Sequence, residues 1–319
     1  MTRNTTSVFV GWLVAITLTG CGDPLVAPEL IVNDRILGAR VEAGTDPVRA
    51  WPAPSETARV RWLLASPEGA PLMNWAFSLC LGEPVTRGLP ICAGPSFAQF
   101  VSPTPSAEEP SFEFVMPDAG NFEQGEQVAV SGAFCKSGVP LSADTNITTS
   151  TTRCPDPAER PLFTTLTIPT AVKGHTNVNP SFAPVAIDFD GVTWPGWTNA
   201  EATAAECSDT NLTWPRVPAD GARHELELTV PEELSEALPV VTSHSTARES
   251  LVVSHFVTAG DLERAYSSVD DSAPTAKVRL SWNAPSGGIG SAQLVRFYFV
   301  LRDGRGGTDW TRRSLCVLP

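Results

Sequence analysis

Apolar and polar side chains alternate along most of the chain, and this period of two constrains the fold more than any other feature. Val60, Trp62 and Leu64 fall on one face of an extended segment. Arg59 and Arg61 fall on the opposite face. Alternation over four to eight residues, bounded by proline or glycine, is typical of a half-buried strand. We therefore expect a fold made of β-sheet.

The same alternation recurs in both halves of the chain. Its apolar positions are Trp75, Phe77, Leu79; Phe112, Phe114, Met116; Val128, Val130; Leu166, Ile168; Leu226, Leu228, Val230; Leu251, Val253, Val257; Val278, Leu280, Trp282; Val295, Phe297, Phe299, Leu301; and Trp310, Leu315, Val317. The 29 prolines in 319 residues exceed the usual share of about 5% and favour short strands joined by turns. The only helix-like piece is the short segment 231–237.

The first twenty residues follow a different pattern. Arg3 precedes an apolar run over 8–18, which is shorter than the roughly 20 residues that cross a bilayer. A basic start, a short apolar run and small residues at its end are typical of a secretory signal peptide. The run ends in Leu18-Thr19-Gly20-Cys21, which resembles the lipobox of bacterial lipoproteins. The resemblance implies cleavage before Cys21, a diacylglyceryl thioether on its sulfur and acylation of the new N-terminus.

This anchor predicts the location of the protein. Several acyl chains hold a protein stably on a membrane where one chain would be marginal. In enterobacterial lipoproteins an aspartate after the cysteine favours the inner membrane, and here Gly22 takes that place. We expect a lipid-anchored protein of the cell envelope, at the outer membrane, on either its periplasmic or its surface face. Residues 21–34 are predicted to form a flexible, lipidated tether.

Six cysteines remain after Cys21. They are Cys80, Cys92, Cys135, Cys154, Cys207 and Cys316. An even number in an oxidising compartment predicts disulfides, and six cysteines allow 15 pairings. Their order along the chain suggests Cys80–Cys92, Cys135–Cys154 and Cys207–Cys316.

Composition and motifs argue against several functions. A formal net charge of −13 disfavours nucleic acid as a partner. The sequence has no P-loop, no G-x-S-x-G elbow and no cysteine–histidine spacing that suggests zinc. We predict no enzymatic activity, no catalytic residues, no metal and no cofactor. The glycine run 286–290 joins two strand patterns and is interpreted as a turn.

Some side chains leave alternatives open. His255 shares a face with apolar residues and is interpreted as a core histidine, although it could also be a ligand or a base. The four aspartates that a calcium ion could use are interpreted as solvated loop carboxylates; they are Asp188, Asp190, Asp270 and Asp271.

Three segments near the C-terminus resemble bacterial immunoglobulin-like and PKD-type repeats. They are 254–262 (SHFVTAGDL), 281–285 (SWNAP) and 297–307 (FYFVLRDGRGG). The sequence departs from the repeats at His255, where they carry tryptophan, and at Asp261, where they carry a second glycine. The resemblance covers about 250–319 and implies an immunoglobulin-like sandwich. With the strand rhythm upstream, it predicts an all-β fold of two tandem sandwiches, 35–170 and 171–319.

Function is predicted only in outline. We expect a non-enzymatic interaction or structural module, with the membrane as one partner and an unidentified protein or glycan as another. The alternative is a carbohydrate- or peptidoglycan-binding lipoprotein that uses Trp194, Trp197 and Trp214 in the loop 192–222, because exposed tryptophans stack on sugar rings. The other interpretation of this loop is a minor core at the sandwich edge, held by Cys207–Cys316.

Overall fold

The structure is a computed structural model. It describes residues 26–83, 91–92, 94–102, 104–105, 109–123, 126–171, 176–196, 204–209, 214–237, 248–269 and 275–319. Within these residues the regular structure is strands plus three single 3₁₀ turns, Ala119–Phe122, Ala204–Ser208 and Glu232–Leu234. The predicted all-β fold is confirmed.

The strands are numbered in chain order. They are β1 Arg35–Ala43, β2 Thr57–Ala65, β3 Asn74–Glu83, β4 Ile91–Cys92, β5 Ala98–Val101, β6 Ser111–Val115, β7 Gln127–Cys135, β8 Leu141–Ser142, β9 Thr152–Arg153, β10 Leu162–Ile168, β11 Ala186–Phe189, β12 Val192–Thr193, β13 Arg216–Pro218, β14 Arg223–Pro231, β15 Val252–Val257, β16 Asp261–Leu262, β17 Tyr266–Ser268, β18 Thr275–Asn283, β19 Gln293–Arg302 and β20 Thr308–Leu318.

Sheets A and B form the first sandwich, pair AB. Sheet A has the order β1-β2-β6, and sheet B has the order β10-β7-β3-β4 with β5 also on β3. Their facing side chains enclose an aromatic core in which the rings of Trp62 and Phe77 stack 4.1 Å apart. Phe77 lies across the register partner Gly132, where a Cβ would come within 2.0 Å of the ring. Glycine at 132 therefore makes room for the centre of this core.

Sheets C and D form the second sandwich, pair CD. Sheet C has the order β13-β20-β19-β15-β17, and sheet D has the order β12-β11-β14-β18-β16. The alternating residues of β14, β18 and β19 meet in the largest apolar core of the described residues. The predicted turn at 286–290 is confirmed, since 284–292 joins β18 to β19, and a second turn, 303–307, joins β19 to β20.

A third apolar core joins the two pairs, and the sequence did not predict it. Leu63 of sheet A is buried on the face opposite Trp62, where it packs near Tyr298 and Val300 of sheet C. The sheets therefore stack in the order B, A, C, D, with apolar side chains between each neighbouring pair. We call the contact between sheets A and C the AC junction.

The segment before β1 also belongs to the fold. The amide of Ile31 donates to the carbonyl of Val257 at 2.8 Å, and the amide of Val257 donates to Glu29 at 2.9 Å. Ile31 is fully buried in the AC junction. A flexible tether through 34 is therefore wrong for residues 29–31, because the sheet edge and the apolar junction hold them. The earlier part of the predicted tether, up to 25, lies outside the described residues.

The strand directions give the stack two ends. The entry end, where β1 begins and β2 finishes, carries the segment 136–161 and the loops 66–73, 258–260 and 284–292. The far end carries the loops 44–56, 176–180, 232–237 and 303–307. Residues 29–31 lie at the entry end, because they pair with the last residue of β15. The predicted boundary between two domains at 170/171 stays a prediction.

Candidate functional site

The AC junction carries a polar network at its rim. Arg61 bonds Glu42 at 2.8 Å and Glu109 at 2.7 Å, and its guanidinium lies over the ring of Trp310. The indole N–H of Trp310 donates to the same Glu109 at 2.7 Å. Glu109 therefore joins the two pairs through three bonded groups, the third being Arg312. A partly buried network of several charges holds its geometry better than an isolated surface ion pair.

Asn179 makes buried hydrogen bonds to both pairs inside the AC junction. Its side-chain amide donates to the carbonyl of Val41 at 2.7 Å, and its oxygen accepts from the amide of Thr308 at 3.0 Å. Asn179 is buried, so both bonds replace water that the site excludes. The orientation of the two pairs is therefore specified by directional bonds as well as by apolar contact.

At the far end, Arg305 links pair CD to pair AB. Its guanidinium lies 5.1 Å from the ring of Trp51, whose indole N–H donates to the Arg305 carbonyl at 2.9 Å. The turn that carries Arg305 is held by Asp303, which accepts the amides of Arg305 and Gly307. A Cβ at 307 would come within 2.1 Å of the Asp303 carboxylate, so this turn requires glycine there.

Two carboxylates share the guanidinium of Arg305. Glu249 lies 3.3 Å and Glu236 lies 3.4 Å from the same nitrogen. Burial raises the pKa of Glu249 to about 7; the carboxylates of Asp303 and Glu236 act in the same direction, while the Glu236 amide and Arg305 oppose them. We call Trp51, Glu236, Glu249, Asp303 and Arg305 the far-end cluster. The four charged side chains of this cluster come from pair CD, and Trp51 comes from pair AB.

A polar groove of about 590 Å³ lies on the outer face of sheet D. Its lining includes His224, Asp190 and Ser281, residue types that hydrolases use, but the His224 ring packs against the buried rings of Phe189 and Trp282. The Ser281 hydroxyl, however, donates to Glu263 at 2.9 Å, while His224 bonds Asp190 at 2.7 Å. The serine and the histidine therefore have separate partners, and this arrangement does not activate a nucleophile.

The disulfides form the predicted pairs. Bonds join Cys80 to Cys92, Cys135 to Cys154 and Cys207 to Cys316. The three bonds use six of the seven cysteines, which leaves Cys21. Cys21 lies outside the described residues. No helix among the described residues has the length and apolarity to cross a membrane.

The tryptophans predicted as ligand contacts have different surroundings. Trp194 is 1% exposed, and its indole N–H donates to the carbonyl of Ser314 at 2.9 Å. Its ring has no face open to a sugar, so a stacking role for Trp194 is wrong. Trp214 is partly buried and packs beside the Cys207–Cys316 bond, as the minor-core interpretation predicts. Trp197 lies outside the described residues, so the glycan alternative now depends on Trp197 and Trp214.

His255 is a core histidine in neutral form. It is fully buried, and its Nε2 lies 3.0 Å from the Ser267 hydroxyl. Burial, followed by the charge of Arg264, lowers the pKa of His255 to about 3. Its Nδ1 has no partner in the structure.

The described residues offer few groups that could together bind a metal ion. Of the predicted aspartates, Asp188 and Asp190 lie at the β11–β12 hairpin, and Asp270 and Asp271 lie outside the described residues. Among the described residues, one group of ligating side chains is close enough to share an ion, and it consists of Cys135, Cys154 and Glu159. Its two cysteines are bonded to each other, so neither is a thiolate ligand.

The sequence did not predict the AC junction or the far-end cluster. The junction had a signal in the unbroken apolar runs Trp62-Leu63-Leu64-Ala65 and Phe297–Leu301, because strands covered on both faces lose their alternation. The far-end cluster had no such signal, since Trp51, Glu249 and Arg305 are far apart in the chain. Comparison of the chain with models of protein families and with curated proteins finds no match.

Proposed function

We propose that this chain is a non-enzymatic, lipid-anchored protein of the bacterial outer membrane, whose stacked sheets serve as an interaction or structural module. The supporting observation is the cysteine arrangement. Six cysteines pair in three disulfides, and the seventh is Cys21, at the end of the lipobox-like Leu18-Thr19-Gly20-Cys21. Disulfides persist in proteins outside the cytosol, and a single unpaired cysteine at the end of a leader is the residue that lipidation requires.

The far-end cluster is the surface we propose for the partner. Loops of both pairs meet there, and Arg305 holds them together through Trp51, Glu236 and Glu249. A rigid surface assembled from two sandwiches loses little conformational entropy when it binds. The partner is a protein or a glycan.

The anchor is tested with Cys21→Ala. Cells that express this variant should lose acyl label from the protein, and the protein should leave the membrane fraction. The matched control is Ser7→Ala, which lies in the same leader but outside the lipobox-like residues. It should keep both the label and the outer-membrane fractionation. A Cys21→Ala protein that still carried the acyl label would refute the proposed anchor.

The partner surface is tested on the same cells. A photo-cross-linking residue at Val48, which is 51% exposed at the far end, should form a discrete adduct. The same residue at Thr165, exposed on sheet B, serves as the control and should form none. Adducts at Thr165 but not at Val48 would move the interaction away from the far end.

A further inference from the structure

The point where the chain leaves the stack toward Cys21 is fixed by bonds to both pairs. Arg35 donates to the carbonyl of Pro28 at 2.6 Å, and Asp34 pairs with Lys136 of pair AB at 2.6 Å. Ile31 is buried between sheets A and C and pairs with Val257. Residues 28–35 are therefore part of the folded body, and they hold their position at the entry end.

The chain between Cys21 and this point is short. Seven residue steps separate Cys21 from Pro28 (28 − 21). Seven residues span at most about 25 Å when fully extended, and about 15 Å on average as a flexible coil. Strand β19 alone, with its ten residues, extends the stack by about 33 Å from the entry end to the far end. An anchor at Cys21 thus brings the entry end, and not the far end, to the membrane surface.

Charged residues lie at both ends of the stack, but three of the entry-end loops carry little charge. The loops 66–73, 258–260 and 284–292 contain one charged residue, Glu68, whereas the segment 136–161 at the same end contains three basic and three acidic residues. The far-end loops 44–56, 176–180, 232–237 and 303–307 contain six acidic residues and two arginines, a net charge of −4 (2 − 6). The loop 66–73 also presents Leu72, whose exposed fraction is 59%.

We propose that the entry end lies against the phospholipid surface that holds Cys21, with Leu72 at the headgroup level. This proposal rests on the lipid anchor of the proposed function. The entry end is the membrane-contact surface, and the far-end cluster is held about the length of one strand away from the bilayer. The nearly uncharged loops 66–73, 258–260 and 284–292 suit a headgroup surface, because apolar side chains gain from partial burial there.

Two matched labels test this orientation. Leu72→Cys and Val48→Cys each place one environment-sensitive fluorophore, at sites 59% and 51% exposed, on opposite ends of the stack. The acylated proteins are reconstituted in phosphatidylethanolamine–phosphatidylglycerol vesicles that contain a lipid with a quencher near its headgroup. We expect several-fold stronger quenching of the label at 72 than of the label at 48. Hydrogen exchange on the unlabelled, anchored protein should also slow in 66–73 and not in 44–56.

The outcomes separate the two proposals. Protein that carries no acyl group and does not float with the vesicles refutes the proposed anchor. Protein that is anchored, but shows equal quenching at both sites or stronger quenching at 48, overturns the orientation and leaves the anchor standing. If a new cysteine disturbs the disulfides, the hydrogen-exchange comparison decides: equal protection of both loops overturns the orientation.

Discussion

Pair AB and pair CD differ in how their strands are cross-linked. The two disulfides of pair AB join residues 12 and 19 apart, and the disulfide of pair CD joins residues 109 apart. Sheet A has only three strands, and its outer face is apolar, so it depends on sheet C for cover. Sheet C presents Tyr298 and Val300 to the same junction, so each pair covers an apolar face of the other. Two sandwiches in sequence thus behave as one stack at the AC junction.

The largest expected effect comes from a charge in that junction. Leu63→Asp places a carboxylate at a fully buried position between sheets A and C. An unpaired buried charge should lower the free energy of unfolding by about 5 kcal/mol or more. Since the two pairs share this core, both should lose protection in hydrogen exchange, in β7 and in β18 alike.

Thr165→Asp is the control for this substitution. It places the same residue in a strand at an exposed site of sheet B and should change stability by less than about 0.5 kcal/mol. If Leu63→Asp lowered the protection of β7 and left β18 unchanged, the two pairs would be independent units, and the comparison drawn above would fail.

The disulfides test the difference in cross-linking directly. In the chain-entropy model, a loop of 109 residues contributes about 5 kcal/mol and a loop of 12 residues about 3 kcal/mol. The double variant Cys207→Ala/Cys316→Ala should therefore lose about 2 kcal/mol more than Cys80→Ala/Cys92→Ala. Denaturant unfolding of both variants measures the difference. Equal losses would show that strain or residual structure in the unfolded chain, and not loop length, sets the contribution of each bond.

The sequence predicted the strands well because alternation records burial on one face. Val60, Trp62 and Leu64 face the core of pair AB, as their spacing indicates. Leu63 lies on the opposite face of β2 and is buried only because sheet C covers that face. Alternation of apolar and polar residues marks one buried face of a strand and does not show that the other face is also covered. The disulfide order was predictable because each bond joins cysteines that follow one another in the chain.

The far-end cluster shows what sequence patterns cannot supply. Glu249 follows Arg248 and precedes Ser250, a context typical of an exposed loop. Its burial arises where Arg305 and Trp51 meet, and these residues come from loops far apart in the chain. Trp194 shows the same limit for an aromatic residue. It lies in a long, proline-containing segment, which suggests exposure, but its side chain is buried in the core of pair CD.

Each pair has one far-end carboxylate with a shifted pKa, and the two shifts have opposite signs. Burial alone would raise the pKa of Glu56 in pair AB, but hydrogen bonds from Thr45, the Ala53 amide and Arg49 outweigh it and lower the pKa to about 2. In pair CD, burial and neighbouring carboxylates raise the pKa of Glu249 to about 7. The hydrogen bonds that Glu56 accepts stabilise its charged form. Glu249, in contrast, shares the guanidinium of Arg305 with the carboxylate of Glu236.

These shifts predict opposite pH dependences. Glu249 binds its proton more tightly in the folded protein than in the unfolded chain, so its contribution to stability is present below pH 4.5 and is lost as pH rises to about 7. The contribution of Glu56 is present above pH 4.5 and is lost as pH falls toward about 2. Stability of the far end should therefore be highest near pH 4–5 and decline toward neutral pH.

Glu249→Gln isolates the effect that appears on the neutral side of pH 4.5. The glutamine cannot ionise, so the decline between pH 4.5 and 7, at most about 3 kcal/mol, should disappear from the free energy of unfolding measured in denaturant at each pH. Glu233→Gln, at an exposed position of the same far-end loop, is the control and should leave the decline unchanged. If the decline survived in Glu249→Gln, the raised proton affinity would belong to another group. The far-end contact between Arg305 and Trp51 would then hold equally well at pH 5 and pH 8, and the two carboxylates would no longer distinguish pair CD from pair AB.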